Sequence, residues 1–174
     1  MKVLSDDDAA AVPSLAEVEA GRSGNSKIEL RKKNGNKGVF AKEDITMSSV
    51  IKLQGVISGA PGKYSIQLDQ DRHLNPPPDK HTTDDPDFFW MYLNHSCQPN
   101  GYIDTAALTF RPLRKISQGE ECTFNYLTTE SELAAPFACH CGAANCFGFI
   151  QGFKHLNVEQ REQLSAPAAV HPPS

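Results

Sequence analysis

Hydrophobic and polar positions alternate in short runs along this chain, and no long helical period emerges. In "YSIQLD", Tyr64, Ile66 and Leu68 fall on one side and Ser65, Gln67 and Asp69 on the other. That period of two belongs to a strand with one buried face. "KIELRKK" and "VFAKEDI" flank the turn cluster "NGNKG", which predicts two strands joined by a tight turn. "VIKLQGVI" follows, and Gly55 inside it marks a bend or bulge. "ALTFRPL" and "ECTFNYL" read as two further strands, separated by the Gly-containing "RKISQGE". "FFWMYL" is too brief for periodicity to decide between a short helix and a buried strand. The fold class expected is mainly β.

The ends differ from this middle. Residues 1–26 are rich in Ala, Asp, Ser and Gly and are expected to be flexible, with "SLAEVEA" forming one or two frayed helical turns at most. Residues 154–174 are expected to be a flexible tail, since "SAPAAVHPPS" has no periodicity and three prolines.

Composition narrows the partners. A formal net charge of -4 and a pI near 5.8 argue against an electrostatic grip on nucleic acid and suit a basic partner such as a lysine-rich peptide. No apolar stretch approaches the roughly 18 residues needed to span a bilayer. The opening "MKVLSDDDAAAVPS" lacks the apolar core of a signal peptide. An intracellular, reducing setting is therefore expected, in which the five cysteines serve as thiols or metal ligands. "NHS" then matches the glycosylation pattern by chance.

Three of those cysteines, Cys139, Cys141 and Cys146, stand together in "CHCGAANCFGF". A structural zinc takes four ligands in a tetrahedron, so this knuckle lacks one. The candidates are His140, Cys122, His95 and Cys97. His140 sits between two ligands, where an alternating backbone turns its side chain away. Cys122 lies in an expected strand and reads as a small buried hydrophobe. Cys97 occupies the turn "NHSCQPN", from which a thiol can reach outward, and this mildly favours it.

"NHSCQPN", then "GEECTFNY", then the C-x-C-x4-C knuckle resemble, in order and spacing, the SET-domain protein lysine methyltransferases with a post-SET zinc motif. "NGNKGVFA" resembles that family's cofactor loop, and "YSIQLD" the strand that carries an active-site tyrosine. The resemblance implies a SET domain over residues 27–134, built of small curved β-sheets with a pseudoknot, and a post-SET zinc knuckle over 135–153. It implies a structural zinc on Cys97, Cys139, Cys141 and Cys146. S-adenosylmethionine is the implied cofactor, held by Lys37, Gly38, Val39, Asn94, His95 and Tyr126, with Phe147 or Phe153 over the adenine. Tyr126 is the implied catalytic tyrosine and Tyr64 a second channel wall. Phe124 is the implied Phe/Tyr switch, and a phenylalanine there leaves room for di- or trimethylation. The implied substrate is a lysine in a protein or peptide, with histone tails as candidates and the nucleus as a candidate compartment.

Four residues depart from the family pattern. Asn36 replaces the first glycine of the cofactor loop, and asparagine adopts positive φ more readily than most residues. Met91 stands where an arginine is usual, Asn125 where an aspartate is, and Phe147 where an arginine follows the last cysteine. Loss of the arginine and the aspartate together would remove one ion pair. Acidic residues in the insert, Asp79, Asp84, Asp85 and Asp87, are candidates to attract a basic peptide, or form a solvated loop. These departures keep a second reading open: a catalytically silent SET-like module that binds zinc and serves as an interaction surface.

Overall fold

The structure, a computed structural model, describes residues 25–33, 35–81 and 84–164. The expected turns of "SLAEVEA" and the tail from Ser165 onward lie outside those residues. The first strand pair forms as the sequence predicts: β1 (Ile28–Lys33) runs antiparallel to β2 (Asn36–Ala41), with Ile28 opposite Ala41 and Lys33 opposite Asn36. Gly35 supplies the turn's left-handed residue at φ 85°, a region open to a residue without a Cβ. Asn36 needs no positive φ; it is the extended first residue of β2.

On the other edge of β2 lies β10 (Glu121–Phe124), antiparallel, and beside it β7 (Asn94–His95), parallel. Two three-stranded sheets complete the main domain: β3 (Ile51–Lys52), β9 (Thr109–Pro112) and β8 (Gly101–Asp104), then β4 (Val56–Ser58), β6 (His73–Asn75) and β5 (Ile66–Gln67). Their inner faces share one core that includes Val39, Ile45, Ile51, Phe89, Leu93 and Phe110. Within "YSIQLD" only Ile66 and Gln67 are strand. Ile66 enters the core.

Two segments take 3-10 form; the sequence leaves the first open between helix and strand, and the second shortens an expected strand. "FFWMYL" belongs to a 3-10 helix, Pro86–Tyr92, opened by Asp85, whose side chain accepts from the Asp87 N–H at 3.0 Å. Phe88, Phe89, Trp90 and Met91 are buried, and the Trp90 indole N–H donates to the Gln54 carbonyl at 2.8 Å, the partner a buried indole requires. "ECTFNYL" stops being a strand at Phe124. The Asn125 side chain accepts from the Leu127 N–H at 3.0 Å and caps a 3-10 turn, Tyr126–Thr128. Asn125 therefore has a capping role here that needs no charge.

A smaller second core forms at the carboxyl end around β11 (Phe137–Ala138) and β12 (Phe149–Ile150). It buries Cys97, Leu127, Ile150, Leu156 and Leu164. The last of these sits on α1 (Val158–Leu164). The expected tail is thus ordered as far as Leu164. Its apolar side chains Leu156 and Leu164 recur where the second core needs them, and the Arg161 guanidinium lies 5.0 Å over the Phe153 ring. Among the described residues, no helix is long and apolar enough to cross a membrane.

Candidate active site and metal centre

Between β7, β10, β5 and the segment that leaves Tyr126 lies a cavity of about 1100 Å³. Tyr64, Trp90, Asn94, Phe124, Tyr126 and Phe137 are among its walls. Four of the residues expected from sequence, Tyr126, Tyr64, Phe124 and Asn94, therefore meet at one place. Lys37, Gly38, Val39, His95 and Phe147 stand outside its lining. Phe124 and Tyr126 are neighbours with ring centroids 4.9 Å apart, a contact made across the Asn125 cap rather than by strand alternation.

Tyr126 is fixed from several sides. Its hydroxyl donates to the Leu93 carbonyl at 2.8 Å, and its ring meets His95 edge-on at a centroid distance of 5.2 Å. Burial, with smaller contributions from Glu130 and Glu121, pushes its pKa up to about 12. The phenol thus stays neutral near pH 7. Since its proton is committed to Leu93, the oxygen lone pairs are what it can present to a guest.

The cofactor-loop residues act through Asn94. The Asn94 amide donates to the Lys37 carbonyl at 3.1 Å and to Glu121 Oε1 at 2.7 Å. Gly38 makes this approach possible: a Cβ there would lie 2.7 Å from Glu121 Oε1 and 3.1 Å from Asn94 Nδ2. Val39 is fully buried in the main core. The Lys37 ammonium lies 4.8 Å over the Tyr92 ring and is ion-paired with Asp84. Asp85 is also paired, with Lys80 at 3.5 Å, so part of the insert's acidity is neutralised within the chain.

Both ring nitrogens of His95 have partners within the chain. Its Nδ1 accepts from the Tyr126 N–H at 3.1 Å, which leaves Nε2 protonated and facing Cys97 Sγ at 3.3 Å. Burial lowers its pKa to about 4, so the ring is neutral. One imidazole thus ties the backbone of Tyr126 to a thiol.

That thiol belongs to a cluster. The sulfurs of Cys97, Cys139, Cys141 and Cys146 all lie within 4.8 Å of one another, and the four residues can hold a metal ion. Cys97 Sγ is 3.8 Å from both Cys139 Sγ and Cys146 Sγ. A tetrahedron with zinc–sulfur arms of about 2.3 Å has edges of about 3.8 Å, so the donor set fits zinc. Backbone N–H groups of Phe147 and Gly148 donate to Cys97 Sγ and Cys146 Sγ, each at 3.4 Å, as donors that stabilise thiolates do. Phe147 contributes its N–H here, while its ring packs against the second core. His140 is outside the cluster, and Cys122 is fully buried in the main core.

Sequence reasoning missed Glu130, which also lines the cavity. The available signal was its spacing: it stands four residues after Tyr126, one helical turn, and its N–H donates to the Tyr126 carbonyl at 2.8 Å. Burial pushes its pKa up from 4.5 to about 7, against hydrogen bonds from the Gln67 N–H and the Thr129 hydroxyl that pull it down. The sign of the linkage follows. Between those two pH values the folded chain holds a proton on Glu130 that the unfolded chain has lost, so this group's contribution to stability falls as pH rises from about 4.5 to about 7. In thermal scans across that window, Glu130→Gln is expected to gain stability relative to the parent with rising pH and to level off above it. A pH-independent difference would contradict this.

Comparison with known proteins places the chain. The family model described as "SET domain" matches residues 36–127. "Methyltransferase flvH" of Aspergillus flavus is 42% identical over 70 residues, covering 39% of this chain and 39% of that protein. "Histone-lysine N-methyltransferase, H3 lysine-36 specific" of Gibberella zeae is 42% identical over 70 residues, covering 37% of this chain and 8% of that protein. The chain thus matches well under half the length of these curated relatives. Among solved structures, KRYPTONITE in complex with mCHG DNA and SAH superposes with a TM-score of 0.55 at 22% identity, over 70% of this chain and 28% of that one. This likeness is one of fold.

Proposed function

The chain belongs to the SET domain family, and from that premise we propose that it is an S-adenosylmethionine-dependent protein-lysine N-methyltransferase, with histone tails as candidate substrates. The observation that carries this reading is the cavity that Tyr126, its hydroxyl proton committed to Leu93, lines together with other aromatic residues. A histone-lysine methyltransferase name among the relatives supports the substrate class.

Of the residues implied to hold the cofactor, Asn94 and Tyr126 line the cavity and fit it there. A space of about 1100 Å³ can hold a nucleoside with its side chain. Asn94, braced by Lys37 and Glu121, stands at its wall. What S-adenosylmethionine supplies when bound is a methyl group made electrophilic by a sulfonium sulfur. The chain's own residues then orient the acceptor. A free lysine has a pKa near 10.4, so only about a thousandth is nucleophilic near neutral pH. The acceptor nitrogen must therefore lose a proton before transfer. Alignment of nitrogen with the methyl carbon can contribute several kcal/mol. Zinc on four thiolates would have a full coordination shell, which makes it structural rather than catalytic.

Phe124 is proposed to set the product. Its apolar ring beside Tyr126 offers no hydroxyl to hold a water against the nitrogen, so di- or trimethyl-lysine is expected. Phe124→Tyr is expected to shift an exhaustive reaction toward monomethyl-lysine, read by mass spectrometry of the modified peptide. An unchanged product distribution would remove Phe124 from this role. Cofactor recognition is tested by calorimetric titration of the zinc-loaded protein with S-adenosylmethionine. One site per chain is expected, and no heat of binding would sink the enzyme reading.

A further inference from the structure

Two carboxylates line the cavity described above, and they differ in their partners. Glu132 is ion-paired with Lys154 and lies 3.5 Å from His155 Nε2. Glu130 has no cationic partner among the described residues. Its Oε1 accepts from the Gln67 N–H at 3.1 Å and from the Thr129 hydroxyl at 3.0 Å. Both donors are neutral and both use the same oxygen, which leaves Oε2 for a ligand. The one buried side-chain polar atom without a partner among the described residues, His73 Nδ1, belongs to a residue lining this same cavity. A carboxylate kept from bulk water without a cation is costly to hold charged. A residue that maintains such a group beside Tyr126 is matched to a guest that brings positive charge.

We infer that Glu130 receives the target amine: Oε2 takes an N–H of the incoming ammonium and sets its nitrogen beside the Tyr126 oxygen. The choice of a lysine-type ammonium as guest rests on the methyltransferase reading above. Glu130 thereby selects a cationic acceptor over neutral side chains of the same length. Lys63, the other ammonium at this cavity besides Lys154, lies 5.0 Å over the Tyr64 ring. It leaves Glu130 open to the guest.

The probe is n-butylammonium, the end of a lysine side chain without its backbone, with n-butanol as the neutral match. Each is titrated by NMR into the full, zinc-loaded chain holding S-adenosylhomocysteine, as parent and as Glu130→Gln. Saturable shifts at Glu130, Tyr126 and Tyr64 are expected with n-butylammonium in the parent, and binding at least tenfold weaker in Glu130→Gln. Butanol affinity and S-adenosylhomocysteine affinity are expected to be the same in both proteins, which a general disturbance of the cavity would not leave unchanged. No saturable shift in the parent, equal ammonium binding in the variant, or a fall confined to S-adenosylhomocysteine affinity would each overturn the assignment. Because the probe binds without methyl transfer, its failure is separable from failure of the enzyme reading. Ammonium binding with no transfer to any protein would strike the latter alone.

Discussion

Tyr126→Phe is expected to lower methyl transfer by about two to three orders of magnitude, the usual loss when a pre-positioned polar group at a reacting centre is removed, while the domain stays folded. The change deletes one oxygen and leaves the ring in its contacts with Phe124, His95 and Phe137. It also frees the Leu93 carbonyl, which had accepted from the hydroxyl at 2.8 Å; an unmet buried acceptor costs about 1–3 kcal/mol. Thermal unfolding should therefore shift by several degrees without loss of cooperativity. The backbone N–H of Tyr126 still reaches His95 Nδ1, so the turn keeps its place. A loss of activity with S-adenosylmethionine affinity intact would separate this role from cofactor binding. Activity within twofold of the parent would remove Tyr126 from the chemistry.

Metal removal is expected to have the second large effect. Among the described residues, the second core buries Cys97, Leu127, Ile150, Leu156 and Leu164, with others such as Phe137 and Phe147 partly buried against them. Side chains of this size contribute roughly 1.5–3 kcal/mol each, while ordering each residue of backbone costs about 1–2 kcal/mol. So small a core does not balance the ordering of the segment that follows Glu130. Four thiolates on zinc supply what is missing, since structural zinc binding is worth about 10–16 kcal/mol in small peptides. Chelation near neutral pH should lower the melting temperature by on the order of 10 °C or more and raise amide exchange from Phe137 to Leu164. Activity should fall with it, because His95 links the Tyr126 N–H to Cys97 and because Phe137, on β11, walls the cavity. Cys97→Ser should reproduce both losses. Unchanged exchange in that segment after complete metal removal would refute the account.

The features legible in the sequence were those with local chemical signatures. The "NGNKG" turn announced the β1–β2 pair, and the knuckle spacing with the turn at Cys97 announced the four thiols that meet in space. What stayed hidden depended on side chains turning back on their own backbone. Asn125 reads as a lost charge until it is seen capping the turn that aims Tyr126. His95 gives no sign in sequence that both its ring nitrogens are engaged within the chain. Leu156 and Leu164 look like residues of a tail until a core is there to receive them. Glu130 was missed because its one-turn spacing from Tyr126 was the only signal, and "TTE" itself does not distinguish a carboxylate facing a cavity from one facing solvent.

The most direct test of the central claim is transfer of a radiolabelled methyl group from S-adenosylmethionine to core histones by the zinc-loaded chain, run beside Tyr126→Phe. The account predicts label on a histone band, recovered as methylated lysine, and its near-complete loss in the variant. Equal labelling by the two proteins, or no label on any band, would contradict it.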